Sequence, residues 1–75
     1  MNEVKEYYKI LENPKWSHPE YIPPDEITIY VLSKSNENQI FRNMFYDFYN
    51  YHHGLMNRKP RLEDYIKGLQ NETTN

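Results

Sequence analysis

One long amphipathic segment, residues 37 to 53, constrains the fold more than any other feature of this sequence. Its apolar side chains recur at helical spacing, and polar side chains fill the remaining positions. Asn36 is the predicted N-cap, with Gln39 three residues later, and Gly54 stands where a left-handed residue ends a helix. As a helix, these seventeen residues would rise about 25 Å, enough to span a small domain. The predicted apolar face consists of Phe41, Met44, Phe45, Phe48, Tyr49 and His52, widened by Ile40 and Tyr51.

The chain is short for an independent domain, with 75 residues and no cysteine. A folded chain of this length buries only about 60% of the surface that its unfolded form exposes. Disulfides cannot add stability, so packing or a partner must supply it. We expect one helical domain over residues 1 to 69, followed by a flexible polar tail over residues 70 to 75.

Two further helices are predicted, over about residues 3 to 12 and about residues 60 to 69. In each, apolar residues at i, i+3, i+4 and i+7 form one stripe. We expect both stripes to pack against the apolar face of the 37–53 helix. The stripes are Val4, Tyr7, Tyr8 and Leu11 in the first helix, and Leu62, Tyr65, Ile66 and Leu69 in the last.

Residues 14 to 24 contain four of the five prolines. Proline removes a backbone donor and disfavours both helix interiors and central strands, so this segment is predicted to be an extended strap. We expect Trp16, Tyr21 and Ile22 to hold the strap on the core.

Residues 25 to 34 are compatible with two structures. The run from Ile27 to Leu32 is rich in β-branched and aromatic residues, which favours a strand. Pro24, Asp25 and Glu26 favour a helix start, and a strand would find no comparable partner in the chain. We therefore expect an all-α domain of three to four helices, with a helix over about residues 25 to 34. The alternative is an α+β fold in which residues 26 to 32 form a strand, paired across a dimer.

Several functional classes are disfavoured. The first six residues are too acidic and polar for a signal peptide, and no apolar run approaches the roughly 18 residues of a membrane span. We therefore expect a cytoplasmic protein that does not contact membranes. No cysteine, G-x-S-x-G motif or glycine-rich phosphate loop is present, so we expect no catalytic residue, no cofactor and no enzymatic activity.

His52 and His53 are the most conspicuous pair of possible metal ligands. Neighbouring helical positions point about 100° apart, so the two rings cannot bind one ion without unwinding the helix, and we expect no metal site. We expect His52 to complete the apolar face and His53 to be solvated.

The segment 52–61, here called the basic loop, contains no acid and carries Arg58, Lys59 and Arg61. Cations near a helix N-terminus oppose the helix dipole, so the loop could contact phosphate or an acidic protein surface. The alternative, which we favour, is a solvated loop partly neutralised by Glu63 and Asp64.

The leading hypothesis is a small protein-binding module that regulates or inhibits a larger protein. Its support is the small size, the net charge of −2 and a supply of aromatic residues that a small core cannot fully bury. In composition alone, rich in Asn and aromatics and free of Ala, the chain resembles small accessory proteins of AT-rich bacteriophages and their Gram-positive hosts. The candidate contact residues are Trp16, Tyr46, Tyr51, Arg58, Lys59 and Arg61.

The alternative function is nucleic-acid binding, with residues 25 to 34 and 37 to 53 forming a helix-turn-helix beside the basic loop. The acidic chain argues against it, and the predicted recognition helix carries only Arg42, with Asp47 on its polar face. A third possibility is a structural subunit that forms a homo-oligomer or joins a larger assembly.

Overall fold

The computed structural model describes residues 2–17 and 25–73, and the side chains of residues 2–17 and 25–68. Within these residues it has four α-helices and no strand, so the expected all-α fold is confirmed. A short 3₁₀ turn, Pro14–Ser17, follows the first helix. The helices are α1 (Asn2–Leu11), α2 (Glu26–Glu37), α3 (Gln39–His52) and α4 (Leu62–Thr73).

Helix α2 occupies the segment for which a strand was the alternative, and that alternative is wrong. Asp25 caps the helix, because its side chain accepts a hydrogen bond from the Thr28 backbone N–H at 2.8 Å. The cap satisfies an amide that the first turn leaves without a partner. The local start signal therefore outweighs the β propensity of the run that follows it.

Helices α2 and α3 meet at a single residue, Asn38. Its extended backbone (φ −152°, ψ 146°) ends α2, and its side chain accepts from the Ile40 backbone N–H at 2.8 Å to begin α3. The prediction that Asn36 would be the cap is wrong, since Asn36 lies inside α2. At the other end of α3, Gly54 has φ +74° and stops the helix as predicted.

Residues 14–17 form a 3₁₀ turn and not the first part of an extended strap. The Asn13 side chain accepts from the Lys15 backbone N–H at 3.0 Å, and the fixed φ of Pro14 suits a tight turn. Residues 18–24 of the predicted strap, including Tyr21 and Ile22, lie outside the described residues.

The core lies between the inner face of α3 and the helices around it, and Phe45, expected inside it, is only half-buried. Tyr7 packs edge-on against Phe41 with ring centroids 5.1 Å apart, and Tyr8 packs in the same way against Phe48 at 5.0 Å. Such pairs stabilise a core beyond their buried area. The buried hydrophobic residues are Val4, Tyr7, Leu11, Trp16, Val31, Ile40, Phe41, Met44, Phe48 and Tyr65.

Two tyrosine hydroxyls attach α4 and the residues just before it to the rest of the fold. Tyr8 donates to the Pro60 carbonyl oxygen at 2.8 Å, and Tyr65 donates to Asp47 Oδ2 at 2.5 Å. Residues 70 to 73, expected to begin a flexible tail, continue the helix, while residues 74 and 75 lie outside the described residues.

Candidate functional site

Two of the predicted contact aromatics are less exposed than expected. Trp16 is buried, its Nε1 donates to the Ile10 carbonyl oxygen at 2.6 Å, and its ring lies 5.4 Å from that of Phe45. Trp16 is therefore not an exposed contact residue. It packs on the core as expected, but from a 3₁₀ turn and not from the predicted extended strap. Tyr51 is half-buried beside His52, with ring centroids 5.4 Å apart.

The basic loop is largely neutralised by carboxylates of the same chain. Lys59 Nζ lies 2.8 Å from Glu12 Oε2, and this hydrogen bond raises the pKa of Lys59 above its usual value. Arg61 pairs with Glu63, one of the two acids expected to neutralise the loop. Among the described residues, Arg58 makes no ion pair and lies on the rim of a cleft of about 160 Å³. Only one of the three predicted cations is thus available to an anionic ligand without breaking an ion pair.

The two histidines fasten the end of α3 to the first third of the chain. His52 Nε2 lies 2.8 Å from the Leu11 carbonyl oxygen, and His53 Nε2 lies 2.8 Å from that of Ser17. Carbonyl oxygens only accept, so both Nε2 atoms carry the hydrogen. His52 completes the apolar face as predicted. Contrary to expectation, His53 is half-buried and not fully solvated, because the 3₁₀ turn brings the Ser17 carbonyl to it.

The outer side of α3 forms a continuous polar surface, here called the α3 face. Tyr46 stands at its centre and is 58% exposed. Asp47, expected on this surface, is half-buried and accepts the Tyr65 hydrogen bond instead. The face therefore carries one charge and no Lys, Asp or Glu. Its residues are Gln39, Arg42, Asn43, Tyr46 and Asn50.

Hydrogen bonds along the helix order the polar groups of the α3 face. Gln39 Nε2 donates to Asn43 Oδ1 at 3.0 Å, and Arg42 Nη1 donates to Gln39 Oε1 at 3.4 Å. Arg42 Nε also donates to the Ser35 carbonyl oxygen of α2 at 3.5 Å. These side chains are thus oriented before any ligand arrives.

A second surface, here called the α2 face, was not among the predicted sites. It consists of Ile29, Leu32, Ser33 and Asn36, on an exposed side of α2 that adjoins the side of the buried Thr28 and Val31. Ile29 is 60% exposed and Leu32 is 50% exposed. The signal was in the sequence: six consecutive strand-forming residues cannot all lie on one face of a helix, so a helix there must turn some of them outward.

Other kinds of site find little support in the part of the chain that is described. It holds no group of three or more His, Cys, Asp or Glu side chains that could bind a metal ion. None of its helices is long and apolar enough to cross a membrane. No protein family, curated protein or solved structure matches this chain.

Proposed function

We propose that the chain is a small non-enzymatic protein-binding module, a regulator or inhibitor of a larger protein, and that the α3 face is its contact surface. The observation that carries this proposal is the exposure of Tyr46 at the centre of a face with no Lys, Asp or Glu. Tyrosine and arginine are enriched in protein interfaces, and lysine and acidic residues are depleted there. Tyr46 with Arg42 follows this pattern.

The ordering of the α3 face supports the same function. Binding costs free energy when flexible side chains must be immobilised. Tyrosine has few rotatable bonds for its contact area, and the hydrogen bonds among Gln39, Arg42 and Asn43 already restrict their side chains. Ordering this surface would therefore reduce the free energy of binding to a partner only slightly.

We propose that the protein acts in the cytoplasm. The absence of cysteine gives the chain no use for an oxidising compartment. The composition, which resembles that of phage accessory proteins, supports a role in regulating a larger protein.

Nucleic-acid binding is the second candidate, because Arg42, Asn43 and Gln39 are side chains that can bind base edges in the major groove. Two features weigh against it. A helix-turn-helix has a turn of about three to four residues, whereas Asn38 alone joins α2 to α3. The basic loop also uses Lys59 and Arg61 in ion pairs within the chain.

The test compares Tyr46→Ala with Leu55→Ala. Leu55 is a matched control because it is 74% exposed and lies outside the α3 face. A partner captured by the full chain would be purified and titrated against both variants. We expect Tyr46→Ala to weaken binding at least about 30-fold, as a hot-spot residue would, and Leu55→Ala to bind like the parent. Equal affinities of the two variants would reject the α3 face as the contact surface.

The second arm of the test titrates a fluorescently labelled DNA duplex with the purified chain. We expect no saturable binding at physiological salt. Tight binding that weakens with salt, at a slope of about −0.9 per phosphate contact, would favour the nucleic-acid candidate instead.

A further inference from the structure

We infer that the α2 face binds a second copy of this chain, with the two α2 helices antiparallel about a two-fold axis. This surface is separate from the α3 face, so the inference does not depend on the proposed function. It starts from the exposure of Ile29 and Leu32, two large apolar side chains that keep half or more of their surface exposed in the described structure. A helix with apolar residues on every side is typical of a buried position.

The order of residues along the α2 face is self-complementary. The N-cap Asp25, followed by Ile29, Leu32 and Asn36 of the α2 face, gives intervals of four, three and four residues, which are the same in both directions. In an antiparallel pair centred between Tyr30 and Val31, Ile29 faces Leu32 of the second copy. The two-fold axis repeats this contact, so it occurs twice, as an isologous interface requires.

Charge selects the antiparallel orientation. The acidic end of the face, at Asp25 and Glu26, would meet the neutral amide of Asn36. Near that amide, the Glu37 carboxylate is compensated by Lys34, whose Nζ lies 3.0 Å from Glu37 Oε2. A parallel pair would instead place acid against acid. Antiparallel α2 helices also bring opposite ends of their dipoles together.

The size of the α2 face sets the strength of the contact. Stable interfaces cover about 800 Å² of each partner, about 15% of the 5351 Å² surface of this chain. The twelve residues of α2 extend only about 18 Å and present one side, so they cover less than that area. We therefore expect a dimer that forms at high protein concentration and dissociates on dilution.

The experiment is sedimentation of the purified full chain, from micromolar to millimolar concentration, for the parent, Leu32→Glu and Ile27→Glu. Ile27 is the matched control, since it is 55% exposed on the same helix but lies beside Ile10 and Tyr30, away from the α2 face. We expect the parent and Ile27→Glu to dimerise and Leu32→Glu to remain monomeric. Circular dichroism would verify that both variants keep the helical fold.

A mixing experiment tests the register. Leu32→Glu and Ile29→Lys should each be monomeric alone, and together they should form a dimer, because the new carboxylate faces the new ammonium while the second contact stays apolar. A parent that is monomeric at millimolar concentration would overturn the inference. A Leu32→Glu variant that dimerises like the parent would do the same, because the interface would then lie elsewhere.

Discussion

Helix α3 gathers its apolar side chains on one face and buries four residues, whereas the neighbouring α2 distributes apolar side chains around its circumference and buries only Thr28 and Val31. The two helices are similar in length and joined directly, so the difference lies in their residue order. In α3, apolar residues follow the helical repeat. In α2 they form an unbroken run, which a helix must divide between its inner and outer sides. An apolar residue therefore contributes to the core in α3 and to the surface on the outer side of α2.

Truncating one large residue in each helix gives the strongest test of this difference. Phe48→Ala removes a fully buried ring and should lower the free energy of unfolding by about 3 to 5 kcal/mol. Leu32→Ala should change it by less than about 0.5 kcal/mol, because Leu32 is half exposed. Urea titrations of both variants measure the difference, and equal losses would show that α2 is packed as α3 is.

Alkaline pH should weaken the attachment of α2 to α1 and of α3 to α4. Tyr7 OH donates to the Val31 carbonyl oxygen of α2 at 3.3 Å, and Tyr65 OH donates to Asp47 of α3. Burial raises the pKa of Tyr7, and burial together with the Asp47 hydrogen bond raises the pKa of Tyr65. Both pKa values are higher in the folded than in the unfolded chain, so folding favours the protonated hydroxyls. Their contribution is complete below about pH 10 and is lost as the pH rises.

We expect the free energy of unfolding to fall by about 1.4 kcal/mol per pH unit for each of these tyrosines above about pH 10. Urea titrations across this range measure the slope. Tyr7→Phe and Tyr65→Phe should each remove one tyrosine's share of it. An unchanged slope in the double variant would assign the alkaline loss to other groups.

The histidine at the end of α3 should have a smaller effect. His52→Phe keeps an aromatic ring beside Phe48 but removes the donor to the Leu11 carbonyl oxygen. Leaving that carbonyl without its partner should cost about 1 to 3 kcal/mol, measured by urea titration. Tyr46→Phe is the control, since it removes an exposed hydroxyl and should cost less than about 0.5 kcal/mol. A His52→Phe variant as stable as this control would show that solvent replaces the lost bond.

One substitution on the inner side of α2 should raise the stability of the protein. The Thr28 hydroxyl is buried and has no hydrogen-bond partner among the residues that the structure describes. Thr28→Val replaces it with a methyl group of similar shape and should raise the free energy of unfolding by about 1 kcal/mol. Thermal melts measure the gain, and a loss of stability would mean that the hydroxyl has a bonding partner in solution.

The sequence predicts the parts of the structure that depend on residues close together in the chain. Helical spacing identifies the inner face of α3, and Gly54 identifies its end. The N-terminal cap of α3 was placed at Asn36 and lies at Asn38, because both asparagines offer the same local chemistry and packing selects between them. The α2 segment was correctly assigned as helix from its start signal.

Contacts between distant residues could not be predicted in this way. Nothing local indicates that Lys59 pairs with Glu12, 47 residues away, or that His53 reaches the carbonyl of Ser17. The same limit affected the candidate site. The exposure of Tyr46 follows from its position on the polar side of a helix, and this prediction is confirmed. The burial of Trp16 does not follow from local sequence, because it depends on how the turn after α1 folds back.

The single-residue joint at Asn38 also affects how the chain folds. Because α2 and α3 are joined directly, their mutual contacts close only short loops and cost little chain entropy. The contact between Tyr8 and Pro60, by contrast, joins residues 52 positions apart. We expect the α2–α3 pair to be formed in the folding transition state and α4 to dock afterwards. Substitutions within the α2–α3 pair should then slow folding, while loss of the Tyr8–Pro60 contact should mainly speed unfolding. The lifetime of the native state therefore depends on how firmly α4 is attached.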